Sequence, residues 1–336
     1  MDSRFRGNDD RHMDSRPCFR WDDGKIDLEI GINRMRVLSL LPASTEIIAA
    51  LHAGDSIVGI THECDFPADV VRALPRVTRS MMDASLTTPR EIDEAVRGLS
   101  HSGEPLYMLD EAAIASLAPD LIVTQALCEV CAVSETDVRA IAARMASHPE
   151  VITLSGATWS GVADDMRRVG VALGCAEAAA EVVEALEKRI RDVHQTLRAA
   201  RAPRPNVVVI EWTDPIFAAG HWVPELVRRA GGHELMSVAG EHSTVRSVES
   251  IRAARPELLI VAPCGYDAEH AATAARELLA QDDWAWAGAL PLWAVDANSL
   301  LSRPGPRLVD GIETLAAIMH PDLFRAAPGS NAIRVA

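Results

Sequence analysis

No stretch of this chain approaches the roughly 20 consecutive apolar residues that a helical membrane span requires, so no membrane insertion is expected. Aromatic residues are scarce, with two tyrosines, five phenylalanines and seven tryptophans in 336 residues. Six cysteines, at 18, 64, 128, 131, 175 and 264, are too few and too scattered for a disulfide scaffold, and most are expected as thiols. Basic residues are outnumbered, 33 against 48 carboxylates, for a net charge of −15. An acidic chain repels phosphate backbones, so nucleic acid is excluded as the expected partner. GxSxG, P-loop, HExxH and GxGxxG motifs are all missing. No carboxylate pair stands out for acid/base work, so no catalytic residue is assigned and no enzyme is expected.

What is present is the balance of a folded protein, 48% hydrophobic and 24% charged. At about 150 residues per domain, the length suggests two domains. Residues 1–34 stand apart. MDSRFRGNDD recurs imperfectly as MDSRPCFRWDD, with no apolar periodicity and no hydrophobic leader core. They read as a disordered or spurious extension ahead of Met35, and without a leader the chain as written reads as cytoplasmic.

From residue 36 the chain alternates between strand and helix signals. RVLSLL (36–41) reads as a buried strand ended by Pro42, with Ser44 capping a helix. Strands are expected at 56–60, 120–124 and 151–154, and helices at 111–117 and 134–145. The same grammar restarts at 206–210, with further strands at 258–261 and 292–295. Helices are expected there at 223–230, 247–254, 268–280 and 306–319. Such alternation argues for parallel sheets with helices on both faces. Between the halves, residues 176–201 contain no glycine or proline. Val182, Leu186, Ile190, Val193 and Leu197 recur at spacings of three and four, the signature of one long helix. The expected organisation is an α/β chain of two Rossmann-like lobes, 35–170 and 204–325, joined by a backbone helix across 171–203 and followed by a tail at 326–336. Open α/β sheets place ligands beyond the carboxyl ends of their strands, so facing lobes would hold a cleft between them.

The polar residues after each strand are therefore the candidates. His62, Glu63, Cys64 and Phe66 follow the strand at 56–60, where His62 and Cys64 can be read as solute contacts, as metal ligands or as a polar turn. Gln125 follows the next strand and leads into Cys128-x-x-Cys131, which can be read as a redox dithiol, half of a metal site or plain packing. Zinc or iron held by His62, Cys64, Cys128 and Cys131 is one expectation. Trp212, Asp214, His221 and Trp222 surround the strand end near 210, where a flat indole could stack on a flat ligand. Arg303 and Arg307 open the last helix, where each could hold an anionic group. Trp284 and Trp286 read as packing, one ring in and one out on an extended segment.

Taken in order, RVLSLLPASTEIIAAL, VGITHECDFP, LAPDLIVTQ, the long helix, GHWVPELVRRAGG and SRPGPRLVDGIE resemble the helical-backbone solute-binding proteins of iron-siderophore and cobalamin ABC importers, most closely the vitamin B12 branch. The likeness runs over about residues 35–325. It implies a non-catalytic, monomeric, periplasmic carrier that binds cobalamin or a related corrinoid between its lobes, needs no cofactor and docks on an ABC permease. It also implies that Phe66 and the 212–220 loop line the ligand site, that the 303–307 segment contacts ligand, and that Glu249 docks on the permease. At the matching first-lobe position stands Ala112, with Glu111 beside it. His62-Glu63-Cys64 and Cys128-x-x-Cys131 depart from the family pattern. They keep open a second reading, a cytosolic metal- or thiol-dependent protein on the same scaffold.

Overall fold

The computed structural model describes residues 35–83, 85–127, 133–325 and 331–336. The N-terminal extension, Cys128 and Cys131 lie outside the described residues.

The first lobe is built from β1 (Val37–Ser39), α1 (Pro42–Ala50), β2 (Ile57–Ile60), α2 (Ala68–Val71), β3 (Thr78–Ser80), α3 (Pro89–Ser102), β4 (Tyr107–Leu109), α4 (Glu111–Leu117), β5 (Leu121–Gln125), α5 (Glu135–Arg144), β6 (Glu150–Leu154) and α6 (Trp159–Ala172). Its sheet runs β2-β1-β5-β6, all parallel. A β3–β4 antiparallel pair stands beyond the end of β2. α1 begins three residues earlier than its sequence suggests. Pro42 does not merely end the strand; it occupies the first helical turn, where its missing N–H costs nothing. Ser44 is no cap; its buried hydroxyl bonds that of Ser39 and donates to the Leu41 carbonyl at 2.9 Å.

α7 (Ala176–Ala200) then runs unbroken for 25 residues. Its buried stripe is Ala179, Val183, Leu186, Ile190, Val193 and Leu197, the period-3.6 face that burial demands.

The second lobe contains β7 (Asn206–Thr213), β8 (Ile216–Ala218), α8 (Val223–Arg229), β9 (His233–Glu234), β10 (Thr244–Val245), α9 (Val248–Ala254), β11 (Leu258–Val261), α10 (Ala268–Leu279), β12 (Leu292–Val295), α11 (Ala297–Leu300), α12 (Leu308–Met319) and β13 (Ala332–Arg334). The sheet order is β10-β8-β7-β11-β12-β13, with β9 beside the start of β7. Only β9, β7, β11 and β12 are parallel to one another; β8, β10 and β13 pair antiparallel. The segment read as a C-terminal tail thus ends in a strand: Ile333 pairs with Ala294, and Ile333 and Val335 pack beside buried Ala271 and Ala272. Trp284 and Trp286 also depart from expectation. They lie on a 3₁₀ turn, not an extended segment, with rings stacked 5.7 Å apart.

One apolar core runs through the whole molecule. It joins Ile47, Ile60, Leu154 and Met166 of the first lobe to Val183 and Ile190 of α7 and to Leu226, Ile260 and Leu315 of the second. The long helix is therefore packed against both lobes rather than strung between them.

Candidate functional site

The carboxyl ends of the two central sheets face a common junction, and three groups of contacts close it. On the β2 and β12 side, Glu46 of α1 is buried and receives both Arg303 (3.1 Å) and Arg307 (2.9 Å). Arg303, only 7% exposed, forks onto both oxygens of Asp65 and donates to Asn298 Oδ1 at 2.8 Å. Burial opposes the Arg303 charge, but Asp65 and Glu46 outweigh it and hold the guanidinium above its ordinary pKa. Burial also works against the Asp65 charge; the bond and field of Arg303 prevail, and the Asp65 pKa is lowered. The guanidinium of Arg307 lies 4.4 Å from the ring centre of Phe66, a cation–π contact. Phe66 keeps 44% of its surface exposed, unusual for a large apolar ring between two lobes.

At the far rim, α3 reaches the second lobe. Arg90 grips Asp214 with two bonds of 2.9 and 3.0 Å, and Trp212 Nε1 donates to the Pro89 carbonyl at 3.1 Å. Trp212 also meets Tyr266 edge-to-face at 5.7 Å. α3 has a capping box from Thr88 and Glu91, yet none of its residues is buried and none joins a core cluster. Its half-buried stripe, Ile92, Val96 and Leu99, is thus left with little of its own lobe to cover. On the third side, the backbone N–H of Trp159 donates to Glu225 of α8 at 2.9 Å.

The residues expected at the site fall into distinct groups. Phe66, Trp212, Asp214, Arg303 and Arg307 all take part in junction contacts. Gln125 ends β5 and is buried. His62 turns toward the β3–β4 pair, bonding Thr78 Oγ1 at 2.7 Å and facing Tyr107 at 5.5 Å. His62 also holds the Glu63 carboxyl below its ordinary pKa. His221 meets His242 instead of the junction rings. Two expectations are corrected. Cys64 is fully buried, its thiol between the hydroxyls of Thr45 and Thr61 at 3.2 Å each, and burial pushes its pKa up. A thiol with no exposed surface cannot touch a solute in the cleft. Trp222 is 7% exposed and belongs to the core, its indole N–H spent on the Leu301 carbonyl at 2.7 Å. No cluster of three or more metal-ligating side chains occurs among the described residues.

The junction also uses residues that the sequence did not single out: Glu46, Arg90, Asn298, Tyr266 and Glu225. Glu46 follows Pro42 by four residues in an apolar helix, and a carboxylate there is the one local sign that a cation must meet it. The others come from chain segments up to 233 residues apart from their partners, and no local pattern pairs them.

The model of one family, periplasmic binding protein, matches residues 37–290. The chain belongs to the periplasmic binding protein family. Membership carries the general role with it: a non-catalytic solute-binding protein. The chain is 24% identical over 313 residues to an uncharacterised ABC transporter substrate-binding lipoprotein, YvrC of Bacillus subtilis, covering 90% of this chain and 86% of that one. Among solved structures it is similar to a periplasmic heme-binding protein of Pseudomonas aeruginosa, with TM-score 0.66, 20% identity, and 89% and 97% of the two chains covered. It is also similar to the periplasmic vitamin B12-binding protein BtuF of Vibrio cholerae, with TM-score 0.58, 18% identity, and 84% and 96% covered. At these identities the two structures speak for the two-lobe fold. The family's periplasmic setting leaves the cytoplasmic reading without support, and no helix among the described residues is long and apolar enough to cross a membrane.

Proposed function

We propose that this periplasmic binding protein carries a large flat macrocycle, a corrinoid of the cobalamin type, and delivers it to an ABC permease. The observation that carries the reading is the set of aromatic rings at the lobe junction. In a chain with 4% aromatic residues, the Trp212–Tyr266 pair and the exposed Phe66 stand at the ends of opposed sheets. Flat rings at a cleft suit a wide, mostly apolar ligand face, and the guanidinium of Arg307 over Phe66 supplies a cation for a peripheral amide or carboxylate. A heme-binding protein and a B12-binding protein are both among the similar structures, which agrees with a tetrapyrrole-like solute. The chain acts as a monomer, in the periplasm, without a cofactor of its own. Glu111 and Glu249 are the permease contacts. Each lies in the exposed first turn of a short helix, one per lobe, and Glu111 is held by Arg144 at 2.9 Å.

The test is a calorimetric and visible-absorption titration with cyanocobalamin, hydroxocobalamin and hemin. Saturable one-to-one binding of a cobalamin is the expected result. Trp212→Ala should then weaken it by about 2 kcal/mol, a 30-fold loss, as for a central aromatic contact. Binding of hemin alone would reassign the solute, and no binding of any of the three would refute the tetrapyrrole reading.

A further inference from the structure

Away from the aromatic rings, two imidazoles are brought together from loops 21 residues apart. His221 follows β8 and His242 precedes β10. His221 Nε2 lies 3.2 Å from His242 Nδ1, and the ring centres are 5.0 Å apart with the planes at 87°.

The surrounding backbone is built to hold this pair. His221 adopts φ 52, a left-handed conformation that costs a non-glycine residue energy and persists only where the surroundings enforce it. The enforcement is visible. The N–H of His221 donates to the Glu241 carbonyl at 2.6 Å, and its carbonyl accepts from Gly240 at 2.8 Å. Gly220 is pressed so closely on the second loop that a Cβ would come within 2.3 Å of the Ser243 nitrogen. Ser243 Oγ in turn donates to Glu211 at 2.7 Å. The His221 ring rests beside that of Trp222, at 5.6 Å, and Trp222 is fixed in the core.

We propose that His221 and His242 form a two-imidazole chelate for a divalent transition-metal ion. Imidazole nitrogens bind such ions at about 2.0–2.1 Å, and two of them on a near-tetrahedral ion stand about 3.2–3.4 Å apart with ring centres about 5 Å apart. Both distances in the pair fit. A straight N–H···N hydrogen bond at the same separation would put the ring centres farther apart, at about 5.5 Å; the hydrogen bond between the two imidazoles is therefore bent. Imidazole suits nickel, zinc, copper and iron. With no third protein ligand among the described residues, the remaining positions are open to water or to a donor atom on a solute. The pair is close to the first lobe: a Cβ on Gly240 would sit 3.5 Å from Thr158. A metal here is independent of the macrocycle proposed above, whose own metal is already enclosed.

The test is a calorimetric titration of the full chain with nickel chloride in metal-free buffer containing a non-chelating reductant. One Ni²⁺ per chain is expected. His242→Ala, on the exposed side of the pair, should lower the affinity by at least about tenfold, since loss of even an outer-shell partner costs that much. Its melting temperature should match that of the wild type, which separates ligand loss from misfolding. The double variant H221A/H242A should show no one-to-one uptake. Absence of saturable uptake by the wild type, or uptake unchanged in H242A and in the double variant, would overturn the site. Neither result depends on whether a cobalamin binds.

Discussion

Glu46 illustrates how much one buried carboxylate can hold. It is enclosed between two guanidinium groups of the other lobe. Removing one partner of such a cluster leaves an uncompensated charge inside, at a cost of about 3–5 kcal/mol. Glu46→Ala should therefore lower the melting temperature sharply; a shift no larger than that of an exposed pair such as Lys188–Asp192 would contradict this account. Glu234 behaves in the opposite sense. Its carboxyl is buried beneath the N–H groups of Met236 and Ser237, and desolvation raises its pKa to about 7, against the pull of those bonds and of Arg246. The folded state thus holds the proton more tightly than the unfolded chain. Stability from this group is complete below the unfolded value near 4.5 and is lost as pH rises toward 7. Glu234→Gln should remove that loss, worth up to about 3 kcal/mol, so denaturant titrations of the variant should show a flatter stability profile between those limits. An unchanged profile would place the proton elsewhere.

Among the elements, α6 and α7 pack most closely where glycine permits it. A Cβ on Gly170 would come within 2.3 Å of the Ala179 side chain. Since both helices are fixed by the core, Gly170→Ala should destabilise by about 1–3 kcal/mol through overpacking, although alanine is the better helix former. Thermal melts decide it: a rise in stability would mean that helix propensity outweighs the contact. α3 is the contrasting element. Its 3.6-residue periodicity is present in PREIDEAVRGLSHS, but its apolar positions are only half-covered and its firm ties are to Trp212 and Asp214 of the other lobe. The site elements were legible in unequal measure. The strand ends beside Phe66, Trp212 and Arg303 could be located from the alternating strand and helix signals. Cys64 could not be told from a ligand, because sequence position places a residue at a loop and says nothing about which way its side chain turns. Likewise, the sequence marks Trp222 and Trp212 as equal candidates, yet the fold sends one into the core and leaves the other at the junction.

For the molecule as a whole, the shared core has a thermodynamic consequence. Apolar residues of both lobes and of α7 form one cluster, and the Glu46–Arg303–Asp65 network ties the same lobes from another side. The two lobes should unfold together. Calorimetry should show one transition across the melt, and two resolved transitions would mean that the lobes are energetically separate. The sequence by itself determined the α/β class, the long helix and the main strands, because these rest on local periodicity and on glycine and proline placement. Tertiary structure alone decided which polar side chains meet. The pairs Glu46–Arg307, Arg90–Asp214 and His221–His242 join segments 261, 124 and 21 residues apart. Contacts at such separations follow from how the lobes pack and, for Glu46, from the need to match a charge once it is buried, and no local signal in the chain encodes them.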